Sequence, residues 1–190
     1  MSAVVRKNRK KEDTPIQKIL KSKIFQGIVG LIVIILIFRF AKKTALFVIF
    51  AVLTYQIVYY QKLYHLPIDL SPLFFLECVI TKYYGLSYTL LFVLIAYLVP
   101  KAMVGGLGNW ISYVFISIGI MGTLPFILIP GFDLMTGGLL GCLILYLGAA
   151  IFQSIGLGKN FIICLSDGIG NILPNIVWFL IFSDVITWVF

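Results

Sequence analysis

The sequence predicts an all-α fold, a polytopic transmembrane bundle of six or seven helices preceded by a disordered basic N-terminal tail. Three observations carry that reading. Of 190 residues, 61% are hydrophobic and only 12% charged, more apolar surface than one soluble core of this size absorbs. The hydrophobic stretches run continuously for roughly 15 to 23 residues, the length of a helical crossing, instead of alternating in the ten-residue segments of a barrel. Eight of the fifteen Lys and Arg residues (Arg6, Lys7, Arg9, Lys10, Lys11, Lys18, Lys21 and Lys23) fall in the first 23 positions, so the net charge of +8 belongs mostly to the tail.

The domain reading is correspondingly simple: a basic cytoplasmic tail over residues 1–23 and a transmembrane helical domain over 24–190. Residues 1–14 are polar and charged, and PIQKILKSK (15–23) has the pattern of a short amphipathic helix at the inner surface, with Pro15 at its first turn. The basic cluster lacks interleaved aromatics and leads straight into an apolar run. Anionic lipid headgroups and the positive-inside bias therefore account for it, and nucleic acid is not expected as a partner. No small-residue cleavage site follows Phe38, so the first helix is expected to remain as an anchor.

The spans follow in order. Phe25 to Phe38 enters the membrane, Arg39, Lys42 and Lys43 end that helix, and Thr44 to Tyr60 returns as the second arm of a hairpin. Leu70 to Thr81 is short for a crossing and carries Pro72 and Glu77, the pattern of a half-helix, a re-entrant segment or a tilted short span. Leu86 to Val99 is strongly apolar and is broken by Pro100, Lys101 and the glycines of GGLGN (105–109), read as a flexible turn. Ile111 to Ile129 and Leu134 to Ile155 are clean spans separated by the turn Pro130-Gly131-Phe132-Asp133. Asn160 to Phe190 holds Asp167, Gly168, Gly170, Asn171, Pro174, Asn175 and Asp184, and reads either as one interrupted helix or as a short approach followed by one crossing. With the N-terminus inside and seven spans, eleven Lys and Arg lie on the inner side and four (Arg39, Lys42, Lys43, Lys82) on the outer. Abundant Ile, Phe, Tyr and Lys fit a prokaryotic inner membrane.

Chemistry-bearing residues are few. Asp167, Asn171 and Asn175 stand at i, i+4 and i+8, which on a continuous helix form one polar stripe. Polar groups at membrane depth cost several kcal/mol unless paired, so the stripe is expected to face the bundle interior or a cavity and to hydrogen-bond a small polar ligand, with Pro174 freeing a backbone carbonyl. The alternative is that Asp167 caps the last helix near the interface. Glu77 reads either as a ligand contact or as a partner of Lys82 about one turn away. Gly137, Gly141 and Gly148 mark a helix-packing face that lets another backbone approach, within the chain or between subunits. LPIDL (66–70) and PGFDL (130–134) echo one another faintly across three spans.

There is one His, and H-E-x-x-H, G-x-S-x-G, paired helical carboxylates and a phosphate-cradling glycine loop are all missing from the sequence. An enzyme is therefore not expected, nor a metal site or a cofactor. Cys78, Cys142 and Cys164 lie in apolar runs without C-x-x-C spacing and read as small packing residues.

The stretch PIDLSPLFFLECVITKYYG (67–85), its echo IPGFDLMTGGLLG (129–141) and the Asn-bearing last helix resemble the substrate-binding S-components of energy-coupling factor transporters and the related rod-shape protein MreD. The resemblance covers residues 66–190. It implies a six-helix bundle that captures a small solute and works beside other membrane subunits. The functional expectation is thus a multi-pass membrane protein that binds substrate in its helix bundle as a transporter subunit. The alternative is a non-enzymatic membrane scaffold or assembly subunit, for which a solid interior without a cavity is expected.

Overall fold

The computed structural model describes residues 23–65 and 69–190. The basic tail over 1–22, the amphipathic segment assigned to 15–23 save its last residue, and Leu66, Pro67 and Ile68 of the first echo lie outside the described residues. Two compact units divide the chain, Met1–Leu46 and Phe47–Phe190. Of the first, the described part is helical throughout.

Six helices make up the described chain: α1 Lys23–Leu63, α2 Leu73–Tyr84, α3 Leu86–Met103, α4 Trp110–Leu128, α5 Leu134–Gly156 and α6 Phe161–Val189. No strand occurs among the described residues. Five stretches are long and apolar enough to cross a membrane: Ala41–Leu63 within α1, and all of α3, α4, α5 and α6, with mean hydropathy of 1.5 to 2.0. They are compatible with a multi-pass membrane protein.

The expected first hairpin is not present. Helix α1 continues through Arg39, Lys42 and Lys43 without a break, so Phe25–Phe38 and Thr44–Tyr60 belong to one element. The reason is local: from Leu31 to Leu63 the sequence contains neither Gly nor Pro, and Lys and Arg are good helix formers that do not themselves end a helix.

Helix α2, the segment whose length left three readings open, is the innermost element of the second unit. Eight of its twelve residues, Phe74 through Thr81, are buried, and it packs against each of α3, α4, α5 and α6. A helix of 12 residues rises only about 18 Å, too little for a hydrocarbon core of about 30 Å. Enclosure by longer helices removes the need to span, because most of its residues are covered by protein. Its apolar residues form the core with Phe92, Val93 and Ala96 of α3, Leu134 and Cys142 of α5, and Phe179 and Ile186 of α6. Phe75 meets Phe179 edge to face at 5.0 Å between centroids, a favoured aromatic geometry. At its far end Tyr83 stacks on Phe190 at 4.2 Å.

Two turns widen into π-helix, Leu94–Leu98 in α3 and Phe152–Gly156 ending α5. The first falls directly before Pro100, whose missing N–H interrupts an α-helical ladder in any case. Consequently α3 passes the proline expected to end it and stops at Met103, where Gly105 adopts a left-handed φ of 76°. GGLGN resolves into a 3-10 turn over Gly106–Gly108 and the N-cap of α4, the Asn109 side chain accepting from Ile111 N. Helix α6 is likewise continuous past Pro174, which decides the last stretch in favour of one helix.

The small residues of α5 meet other parts of the same chain. A Cβ on Gly141 would run into the Gly122 carbonyl oxygen, one on Gly148 would lie 2.8 Å from Ile118 Cγ2, and one on Gly137 would contact the Phe126 ring. This face therefore packs inside the chain, on α4, as close backbone approach between apolar helices requires. Outward-facing large apolar side chains cover the long helices, among them Val52, Leu53, Leu94, Leu143, Leu173 and Leu180.

Candidate functional site

Between the helices of the second unit lies a cavity of about 490 Å3, within the range of small-ligand sites. Its wall mixes apolar side chains, such as Leu73, Phe115, Ile116 and Ile172, with a set of polar ones. Helix α2 and the segment before it supply Asp69, Ser71, Phe74 and Glu77; α1 supplies Gln61 and Lys62; α3 supplies Tyr97; α4 supplies Ser112 and Gly119; α5 supplies Tyr146 and Gln153; α6 supplies Asp167, Asn171 and Asn175.

All four candidate ligand residues named from sequence, Glu77, Asp167, Asn171 and Asn175, line this one cavity. The stripe on α6 reaches it together because α6 stays helical past Pro174, keeping positions i, i+4 and i+8 on one face. Asn175, at the buried end, donates from Nδ2 to the Asn171 backbone oxygen at 3.0 Å. Asp167 is exposed. The capping reading for Asp167 does not hold, since α6 starts at Phe161 and is capped by Asn160, which accepts from Ile162 N at 2.9 Å.

Glu77 is 4% exposed, and its Oε2 is buried without a hydrogen-bond partner. It lies against Gly119 of α4, where a Cβ would stand 3.2 Å from Oε2. The proposed pairing with Lys82 is replaced by another arrangement: Lys82 Nζ donates to the Phe132 backbone oxygen and lies 5.6 Å from the Tyr83 ring centroid. Five residues along a helix rotate a side chain by about 140°, so the two point to different faces.

The other carboxylate of α2's entry is satisfied. Asp69 accepts from Ser71 N at 3.0 Å and Ser71 Oγ at 2.6 Å, while Asp133, its counterpart in the echoed motif, accepts from Thr136 N at 3.0 Å and Thr136 Oγ1 at 3.3 Å. Asp133 thereby caps α5, whereas Asp69 fastens the turn before α2, whose N-cap is Pro72 without a side-chain bond. The Thr136 amide bond holds the Asp133 carboxyl below the usual aspartate range, against the opposing effect of burial.

Tyr97, Gln153, Tyr146 and Gly119 were not singled out by sequence reasoning. Tyr97 and Gln153 sit in the two π turns, which break the 3.6-residue period on which face assignments rest. Tyr146 crosses onto α6, where its hydroxyl donates to the Leu165 oxygen at 2.7 Å. Gly168 leaves room for that ring, since a Cβ there would be 2.6 Å from Tyr146 Cε2. Lys62 lies over the Tyr97 ring at 5.8 Å.

Among the described residues no group of three or more His, Cys, Asp and Glu is placed to hold a metal ion. The three cysteines are buried and free. Comparison with family models, curated proteins and solved structures finds no match to this chain.

Proposed function

We propose that the chain is a multi-pass membrane protein that binds a small polar solute in the α1–α6 cavity, as the substrate-binding subunit of a transporter. The observation that carries this reading is the convergence of Glu77, Asp167, Asn171 and Asn175 on one cavity of about 490 Å3 inside a bundle whose other faces are apolar. Among the cavity's polar groups, Glu77 Oε2 is buried without a partner, and leaving such a group unsatisfied lowers stability. A solute that supplies the missing hydrogen bond offsets that cost when it binds. The two π turns at the cavity wall add to the case, since such irregularities concentrate at working sites. In the same reading the basic tail keeps the N-terminus on the cytoplasmic side and rests on anionic lipid, and the resemblance to S-components supplies other membrane subunits as partners.

Native mass spectrometry of the protein purified in mild detergent tests the proposal. A co-purifying small molecule is expected on the wild type and is expected to be lost from Asp167→Ala and Asn171→Ala. A bare chain whose thermal stability ignores both substitutions would leave the scaffold reading in its place.

A further inference from the structure

Acidic side chains outnumber basic ones in the cavity wall. The wall carries three carboxylates, Asp69, Glu77 and Asp167, and a single ammonium, Lys62. Of the carboxylates, Asp69 already accepts two hydrogen bonds from Ser71 and Asp167 is exposed. Glu77 differs from both: it is 4% exposed, its Oε2 has no partner, and it lies on the helix that the rest of the bundle encloses. Lys82, the nearest lysine in sequence, is held at the Phe132 carbonyl.

We infer that the solute is a small organic cation, carrying a protonated amine that sits against Glu77 Oε2 at the inner end of the cavity. This rests on the solute-binding reading and adds the chemical class. Burial without a partner favours the neutral carboxyl at Glu77; a protonated amine against Oε2 stabilises the ionised form and so makes a charge-assisted hydrogen bond there. Aromatic rings of the wall, among them Phe74 and Phe115, offer apolar surface to the body of such a molecule, while the Tyr97 ring already carries Lys62 at 5.8 Å and Lys101 at 5.6 Å. A bare metal ion fits less well, for want of a cluster of three ligating side chains among the described residues. Gly119 matters to the arrangement because a side chain there would press on Oε2, 3.2 Å from the new Cβ.

The test uses the full chain in lipid nanodiscs, incubated with the polar small-molecule extract of the cells that express it. The extract is spiked with two matched sets: tryptamine, tryptophol and indole-3-acetate, and hexylamine, hexanol and hexanoate. Retained compounds are identified by mass spectrometry and sorted by charge. Amines are expected to be retained above their neutral and acidic counterparts. Glu77→Gln is expected to lower amine retention roughly 10- to 100-fold, the effect of losing one charged hydrogen bond, without lowering the melting temperature. Neutral or acidic compounds retained as well as amines, or amine retention unchanged in Glu77→Gln, overturns the inference while leaving the solute-binding reading in place. If no compound of any class is retained by the wild type, that reading falls and the inference with it. Should Glu77→Gln fail to fold, Glu77→Asp decides: its carboxylate is set back by one methylene, so weakened amine retention supports the inference and undiminished retention overturns it.

Discussion

Replacing Gly141 by Ala tests the packing that shapes the cavity wall. The new methyl would meet the Gly122 carbonyl oxygen and lie 3.1 Å from Phe74 Cζ. One neighbour is backbone and the other a ring that is 5% exposed within the core, so neither yields by simple rotation. Overpacking of this kind costs about 1–3 kcal/mol, and exchanging Gly for Ala inside a helix returns about 0.5–1 kcal/mol. The net expectation is a destabilisation of up to about 2.5 kcal/mol, centred near 1 kcal/mol, a fall in melting temperature of a few degrees for a chain of this size. Gly170→Ala is the matched control, because a Cβ there meets nothing within 4 Å; it is expected to hold or raise the melting temperature. The assay follows from the structure: Cys78, Cys142 and Cys164 are all buried, so a thiol-reactive dye reports unfolding, with circular dichroism as the check. A Gly141→Ala protein that melts at or above the wild type would refute the close approach of α4 and α5.

Two further expectations concern the scaffold around the site. Thr81 and Thr89 share a buried hydroxyl bond of 2.8 Å across the α2–α3 connection; Thr81→Val is expected to cost about 1–2 kcal/mol, and the double Thr81→Val, Thr89→Val change less than the sum of the two singles, as a thermal double-mutant cycle would read. Asp133→Ala removes the N-cap of α5 at a cost of about 1 kcal/mol. Because the Asp133 pKa is lowered by folding, its stabilisation is fully present above the ordinary aspartate pKa of about 4 and is lost as pH falls through the lowered value. An acid melting series should therefore show wild type and Asp133→Asn converging at low pH.

The apolar periods of α3 to α6 were legible in sequence because long unbroken runs in this composition have few alternatives to a helix. So was the stripe of Asp167, Asn171 and Asn175, since its spacing needs only a continuous helix to become a face. The packing glycines of α5 were also readable, although which helix they meet depends on Gly122 and Ile118 of α4. Other features were set by competition that a local pattern does not display. The charges at Arg39, Lys42 and Lys43 resemble a loop, yet without Gly or Pro the helix continues through them. Glu77 and Lys82 looked close enough to pair, but the backbone of Phe132, 50 residues away, takes the lysine and leaves the carboxylate to the cavity. Tyr97 and Gln153 are aimed by π turns, and a reading based on 3.6 residues per turn misplaces side chains after such a turn.

The central claim, that Asn171 faces a hydrated cavity while the outer face of the same helix meets lipid, is open to one direct measurement. Cysteines introduced singly at Asn171 and at Leu173, which is 53% exposed on the outer face, are challenged with a water-soluble maleimide in membrane fragments open on both sides. A thiol reacts as its thiolate and so needs water, whereas Cys78, Cys142 and Cys164 are buried and serve as an unreactive background. Rapid labelling of Asn171→Cys with little labelling of Leu173→Cys is the predicted result. Equal labelling of the two, or an unreactive Asn171→Cys, would contradict the cavity.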